Sequence, residues 1–126
     1  MEDDLAGRRK GRAGLRRVWN ALLYSFDGIK AAFQHEHGFR QEVFLAVILI
    51  PVASMLPAEG VGKAMMIGSI LLVLVVELLN SAVEATVDRI SLEHHQLAKR
   101  AKDVGSAAVF ISLINVVVVW ALVLFG

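Results

Sequence analysis

The sequence contains no cysteine, and its 126 residues include only two prolines and one tyrosine. Without cysteine the chain cannot form disulfide bonds or use thiolate chemistry, although this absence leaves the redox compartment undetermined. One of the prolines, Pro51, lies inside an apolar run and predicts a kink there. The net charge is only +1, so the placement of charged residues is more informative than their sum.

Two nucleotide-binding signatures are also missing. The segment Gly60-Val61-Gly62-Lys63 resembles the end of a Walker A loop, but Pro57 stands where the first glycine belongs and Ala64 follows the lysine. The set of motifs typical of protein kinases is absent as well. Any binding of a nucleotide must therefore use another arrangement.

Hydrophobic residues make up 56% of the chain, the mean hydropathy is +0.61, and the apolar residues are concentrated in three blocks. This pattern predicts an all-α integral membrane protein with three transmembrane helices, at residues 39–57, 64–88 and 104–125. The first block is short for a span of about 20 residues, so we extend it back to Phe39. It also begins too far along the chain for an ordinary signal peptide.

The N-terminal region divides into two parts. Residues 1–14 combine acidic, basic and glycine residues that cannot form a core, and we predict a mobile basic tail. Residues 15–34 place apolar side chains at steps of three and four, which predicts an amphipathic helix on the membrane surface. The basic cluster suits nucleic acid or anionic lipid, and beside a membrane domain we favour lipid and expect no nucleic acid partner. Residues 15–126 then form a single membrane domain.

Lysine and arginine placement predicts the orientation. Nearly all of these residues lie in the N-terminal region or in the polar segment 89–103, which we interpret as a loop, whereas the short loop after the first span contains Lys63. By the positive-inside rule the N-terminus and the 89–103 loop are cytoplasmic. Three spans then place the C-terminus on the outer side of the membrane.

A polar stripe follows the apolar residues 64–76. It consists of Glu77, Asn80, Ser81, Glu84 and Asp88. In a helix these residues share one face, and the two glutamates lie about 10 Å apart along the axis. Ionisable side chains are unfavourable next to lipid, so the stripe must face protein, water or a ligand. It is the candidate functional site.

Two interpretations stay open for the charged residues at the cytoplasmic end. Glu36, Glu84 and Asp88 are oxygen ligands of the kind that suits Mg²⁺, or they are interfacial carboxylates paired with Arg40 or Lys102. The second group consists of Asp103 and the basic residues Arg17, Arg89, Arg100 and Lys102. These residues bind a polyphosphate, or the basic ones only provide the positive charge expected on the cytoplasmic side. The histidine pairs His35/His37 and His94/His95 do not provide the closed ligand set typical of zinc.

Two motifs carry a family resemblance: Glu77-x-x-Asn80-Ser81-Ala82-Val83-Glu84-x-x-Val87-Asp88 and Arg100-Ala101-Lys102-Asp103-x-Gly105-Ser106-Ala107-Ala108. With Phe39-Arg40-Gln41-Glu42, they make the chain from about Arg17 onwards resemble prokaryotic diacylglycerol kinases, which are small membrane lipid kinases. The resemblance implies a helical-bundle homotrimer whose active sites are shared between subunits. It implies ATP-dependent phosphorylation of diacylglycerol to phosphatidic acid at the cytoplasmic face, with Mg²⁺.

The resemblance also assigns residues to roles. Glu77 would be the general base, Glu36 and Glu84 the metal ligands, and Asn80 and Asp88 structural support. The implied nucleotide contacts are Arg17, Tyr24, Glu36, Glu84, Glu93, His94, His95, Lys102 and Asp103. The implied lipid contacts are Arg17, Ser25, Gly38, Phe39, Arg40, Gln41, Glu42, Glu77 and Ser106.

Physical chemistry supports the same reading, because phosphoryl transfer needs charge neutralisation, positioning and a base for the hydroxyl proton. Two alternatives remain. A kinase for undecaprenol would use the same chemistry and differ only in the lipid cleft. An ion- or proton-conducting channel subunit would need polar residues through the whole membrane depth, whereas the outer halves of the spans carry only Ser54, Ser69, Ser112 and Asn115.

Overall fold

The computed structural model describes residues 2–90 and 96–126, which form four helices. They are α1 (Glu2–His35), α2 (His37–Met55), α3 (Gly60–Ile90) and α4 (Gln96–Phe125). α1 forms one compact unit, and α2, α3 and α4 form a second. The last three helices are long and apolar enough to cross a membrane. The described residues are therefore all helical apart from short connections, in agreement with the predicted all-α class.

The helix α1 begins earlier than we predicted. Residues 2–14, for which we expected a mobile tail, are helical, and the helix continues to His35. Its first turn carries Glu2, Asp3 and Asp4, which interact favourably with the positive end of the helix dipole. Many of its apolar side chains are exposed, and Trp19 and Phe26 are among them.

The helices α2 and α3 pack through small residues on α2. Ala46 and Ala53 are seven residues apart, so they lie on one face of α2, and both are buried. The helix α3 contacts both α2 and α4 and buries Met66, Ile70 and Val73. At its start, Lys63 Nζ donates a hydrogen bond to the main-chain oxygen of residue 54 at 2.9 Å, which ties the two helices together at the turn.

The contact between α3 and α4 includes a hydrogen bond within the apolar segment. Trp120 Nε1 donates to the Met66 carbonyl at 3.2 Å, and Ser69 Oγ donates to the same oxygen at 2.6 Å. Along α4 only Ser112 is buried. Most apolar side chains of α4 therefore face outward, as expected of a helix that contacts lipid or another subunit.

The helices differ from our predicted bounds chiefly in the polar segment after α3. Residues 89–90 and 96–103 of the predicted loop are helical, because α3 continues to Ile90 and α4 begins at Gln96, and the rest of that segment lies outside the described residues. Lys99 and Asp103, one turn apart in α4, form an ion pair of 2.7 Å that supports this helical turn. The break between α1 and α2 is confined to Glu36, and α2 runs through Pro51.

Candidate functional site

The carboxyl group of Glu77 lies at the end of the buried face of α3. Met66, Ile70, Val73 and Glu77 follow one another at steps of four, three and four residues, so they share one side of the helix. Glu77 is only 9% exposed, and its Oε2 is buried without a hydrogen-bond partner within the described residues. A buried acceptor without a donor is unfavourable unless a ligand or water supplies one. This atom is the strongest indication of a site.

Gly38 lies at the start of α2 and makes room for Glu77. A Cβ atom at Gly38 would lie 2.7 Å from Glu77 Oε1 and 3.6 Å from its carboxyl carbon. Any side chain here would displace the carboxyl group. The first turn of α2 therefore fixes where the Glu77 carboxyl can sit.

Asn80 lies one turn further along α3, towards α4. Its Nδ2 donates to Glu84 Oε1 at 3.5 Å, while its Oδ1 is buried without a partner within the described ranges. The nearest part of α4 is Gly105, where an added Cβ would overlap Asn80 Oδ1 and lie 3.2 Å from its side-chain carbonyl carbon. Two glycines from two helices thus border the polar stripe.

Two further carboxylates lie near that of Glu77. Glu36, in the break between α1 and α2, and Glu84, on α3, are close enough to Glu77 for electrostatic repulsion. Within residues 2–90 and 96–126 no three acidic or histidine side chains form a closed metal cluster. A Mg²⁺ ion does not require such a cluster, because it binds through one or two carboxylates together with water and phosphate oxygens.

The predicted phosphate-binding residues of α4 form ion pairs. Lys102 Nζ lies 2.6 Å from Asp88 Oδ1 on α3, and Asp103 pairs with Lys99. Asp88, which the metal interpretation grouped with Glu36 and Glu84, is therefore salt-bridged to Lys102, as the alternative interpretation proposed. Lys99, Asp103 and Asp88 are largely accessible to solvent and Lys102 is partly accessible, so the pairs can open when a polyphosphate competes for the lysines.

The start of α2 supplies most of the predicted lipid contacts. Phe39 is buried, whereas Gln41 is exposed. Arg40 and the His37 ring nitrogen Nδ1 are hydrogen-bonded at 3.0 Å. Glu42 Oε2 is a second buried carboxyl oxygen without a partner in the described part of the chain. Ser106, on α4, is exposed.

The predicted residues of α1 lie in the other unit. Arg17 and Tyr24 are exposed and lie in the same patch of the α1 surface as Arg9, Arg12 and Arg16. Ser25 Oγ donates to the Ala21 carbonyl at 2.8 Å. The predicted nucleotide contacts Glu93, His94 and His95 lie outside the described residues.

Sequence reasoning missed one feature of this site, the contact between Gly105 and Asn80. In the sequence, Gly105 is only one position of the second family motif. The available signal was the pairing of a glycine on one membrane helix with an amide on the next. A pattern of this kind shows that two helices are close but does not show which atoms meet.

Comparison with known proteins agrees with this geometry. Residues 23–124 match the sequence profile of the prokaryotic diacylglycerol kinase family. The diacylglycerol kinase of Pseudomonas aeruginosa is 56% identical over 117 residues, which cover 93% of this chain and 95% of the relative. Those of Haemophilus influenzae and Escherichia coli K12 are 52% and 43% identical, over 89% and 90% of this chain and 95% and 93% of the relatives.

The chain therefore belongs to the prokaryotic diacylglycerol kinase family. It is a bacterial membrane protein of the lipid kinase class, with three helices able to span the bilayer. The family assignment agrees with the resemblance inferred from the two motifs, and it covers nearly all of the second unit.

Proposed function

We propose that this protein transfers the γ-phosphate of ATP to the primary hydroxyl of diacylglycerol and forms phosphatidic acid. The observation that carries the proposal is the buried, unpartnered Oε2 of Glu77 in a helix that can span the membrane. A carboxylate inside a membrane-spanning helix can reach the hydroxyl group of a lipid that stays in the bilayer. A soluble enzyme would first have to extract the lipid from the membrane. Membership of a diacylglycerol kinase family supports the same substrate.

The proposed step uses Glu77 as the general base. Glu77 accepts the proton as the lipid hydroxyl oxygen forms a bond to the γ-phosphorus, and the bond from that phosphorus to the β–γ bridging oxygen breaks to release ADP. The low accessibility of Glu77 leaves little water to compete for the proton at its carboxylate. Gly38 keeps the carboxyl group in place, because any side chain there would push it away.

We propose that Glu36 and Glu84 hold Mg²⁺ with the nucleotide phosphates. The ion would neutralise charge on the phosphoryl group during transfer. The two residues fit this role because both are carboxylates that repel the carboxylate of Glu77, and a cation bound among these groups would relieve that repulsion. Asn80 supports Glu84 through its amide, and Asp88 helps to place Lys102.

The remaining residues divide between nucleotide and lipid. We propose that Lys102 exchanges its ion pair with Asp88 for a contact to phosphate, and that Asp103 lies beside it. The other proposed nucleotide contacts are Arg17, Tyr24, Glu93, His94 and His95. The proposed lipid contacts are Arg17, Ser25, Gly38, Phe39, Arg40, Gln41, Glu42 and Ser106.

We further propose a homotrimer with active sites shared between subunits. The support is the outward-facing apolar surface of α4, where only Ser112 is buried within the chain. If the sites are shared, activity should disappear in step with the trimer as detergent dissociates it. Native mass spectrometry and kinase assays on the same samples measure both, and active monomers would contradict sharing.

The proposed location is the bacterial inner membrane, with α1 as an amphipathic helix at its cytoplasmic surface. The N-terminus and Lys102 are then cytoplasmic, and Lys63 and the C-terminus are periplasmic. Because the chain has no cysteine, single cysteines can be placed at positions 63 and 102. We expect an impermeant maleimide to label only position 63 in intact cells and both positions after lysis. Labelling of position 102 before lysis would reverse the orientation.

The function is tested with purified protein in mixed micelles that contain Mg·ATP and one lipid alcohol at a time. We expect diacylglycerol to be phosphorylated far faster than undecaprenol. A preference for undecaprenol would keep the mechanism and change the substrate. Ion flux through reconstituted vesicles without any lipid phosphorylation would favour the channel alternative.

A further inference from the structure

Gly105 is the point at which α4 meets the polar stripe of α3. The direction in which its Cβ would project leads directly to Asn80 Oδ1, and the next nearest atoms are the side-chain carbonyl carbon and Cβ of Asn80, at 3.2 and 3.9 Å. All three nearest atoms therefore belong to one side chain. The close approach is a specific contact with Asn80 and not a general crowding of two helices.

The Asn80 oxygen in this contact lacks a hydrogen bond. Asn80 Oδ1 is buried and has no hydrogen-bond partner within the described residues. A hydrogen on the Cα atom of Gly105 points towards it, which is the arrangement of a weak Cα–H···O interaction. Any Cβ atom would replace that hydrogen with a clash.

We infer that Gly105 is a positioning residue for the metal ligand Glu84, and that it acts through the side chain of Asn80. The Asn80 amide has two ends. Its oxygen rests against Gly105, and its Nδ2 donates to Glu84 Oε1 at 3.5 Å. A side chain at position 105 must therefore rotate the amide and withdraw the donor from the carboxylate.

The inference rests on the proposed role of Glu84 and extends it to a residue outside the proposed ligand set. A partner that orients a metal ligand typically changes metal affinity by about 10- to 100-fold when it is removed. The effect should therefore appear in the affinity for the metal–nucleotide complex and not in the affinity for the lipid.

The experiment is a double-mutant cycle with Gly105→Ala, Asn80→Ala and the two combined. In Asn80→Ala the overlapping oxygen is gone, and Cβ of residue 80 would lie 3.9 Å from the new Cβ at position 105, which is an ordinary contact. Gly68→Ala is the matched control, because an added Cβ there meets nothing within 4 Å. The readouts are the melting temperature of the protein without metal or nucleotide, and its affinity for Mn²⁺ with a non-hydrolysable ATP analogue by electron paramagnetic resonance.

We expect Gly105→Ala to lower the melting temperature when residue 80 is asparagine but not when it is alanine. We expect each single variant to weaken Mn²⁺ binding about tenfold and the double variant to weaken it no further, as for one shared pathway. Gly68→Ala should change neither readout. Additive losses in the double variant, or unchanged Mn²⁺ affinity in Gly105→Ala, would overturn the inference.

The Mn²⁺ affinity of Glu84→Gln tests the proposed metal site independently of the role of Gly105. If Glu84→Gln weakens Mn²⁺ binding but Gly105→Ala does not, Glu84 is a ligand and the positioning role of Gly105 is wrong. If Glu84→Gln leaves Mn²⁺ binding unchanged, the proposed metal site itself is wrong, and the inference falls with it.

Discussion

Replacing Glu77 with glutamine is expected to lower kcat by about a hundred- to ten-thousandfold, the usual loss when a general base is removed. Glutamine keeps the length and shape of the side chain, and it still fits beside Gly38. It cannot accept the proton of the lipid hydroxyl. The affinity for Mg·ATP should stay near that of the original protein, because the proposed metal ligands Glu36 and Glu84 are intact.

The measurement is kcat with diacylglycerol and the Kd of Mg·ATP, for the original protein and for Glu77→Gln. Glu59→Gln is the control, since it makes the same chemical change at an exposed residue between α2 and α3. If Glu77→Gln keeps more than about a tenth of the original kcat, the loss is too small for a general base. The role would then move to Asp88 or Asp103.

The same substitution has a second expected result, on stability. An ionised carboxylate is unfavourable inside a membrane span, and the Oε2 atom of Glu77 is buried without a partner within the described residues. The uncharged amide of glutamine avoids the free-energy cost of burying an ionised carboxylate. We therefore expect Glu77→Gln to raise the melting temperature while it abolishes most of the activity, which would separate loss of chemistry from loss of folding.

The membrane architecture could be predicted because it depends on composition over long segments. Three apolar blocks in a chain with few prolines favour membrane helices, and the structure has three helices that are long and apolar enough to cross a membrane. The bounds were less predictable at the polar ends. Residues 96–103 are rich in charge and were assigned to a loop, yet an ion pair one turn apart, Lys99 with Asp103, suits a helix equally well.

The polar stripe could be predicted as a single face, because helical periodicity fixes which residues point the same way. What the stripe meets could not be predicted, since that depends on how α2 and α4 pack against α3. The contacts of Glu77 with Gly38 and of Asn80 with Gly105 join residues far apart in the chain. The same limit applied to Asp88, for which a metal and Lys102 were equally good partners until the ion pair was seen.

Replacing Glu84 with glutamine is expected to raise the Mg²⁺ concentration for half-maximal activity by at least about a hundredfold. Loss of a residue that only orients a metal ligand costs about 10- to 100-fold, so loss of the ligand itself should reach or exceed that range. Because Glu77 remains, much of the original rate should return at saturating Mg²⁺. A Mg²⁺ titration of kcat measures both quantities.

The two glutamine substitutions should therefore change the kinetics in different ways. Glu77→Gln should lower the maximal rate at every Mg²⁺ concentration, whereas Glu84→Gln should shift the Mg²⁺ dependence. The separation follows from their positions, because seven residues of helix place Glu84 about 10 Å nearer the end of α3. There the ion can arrive with the nucleotide from water, while Glu77 stays among apolar residues with the lipid. If Glu84→Gln leaves the Mg²⁺ dependence unchanged and lowers only the maximal rate, Glu84 does not bind the metal, and the proposed division between the two carboxylates is wrong.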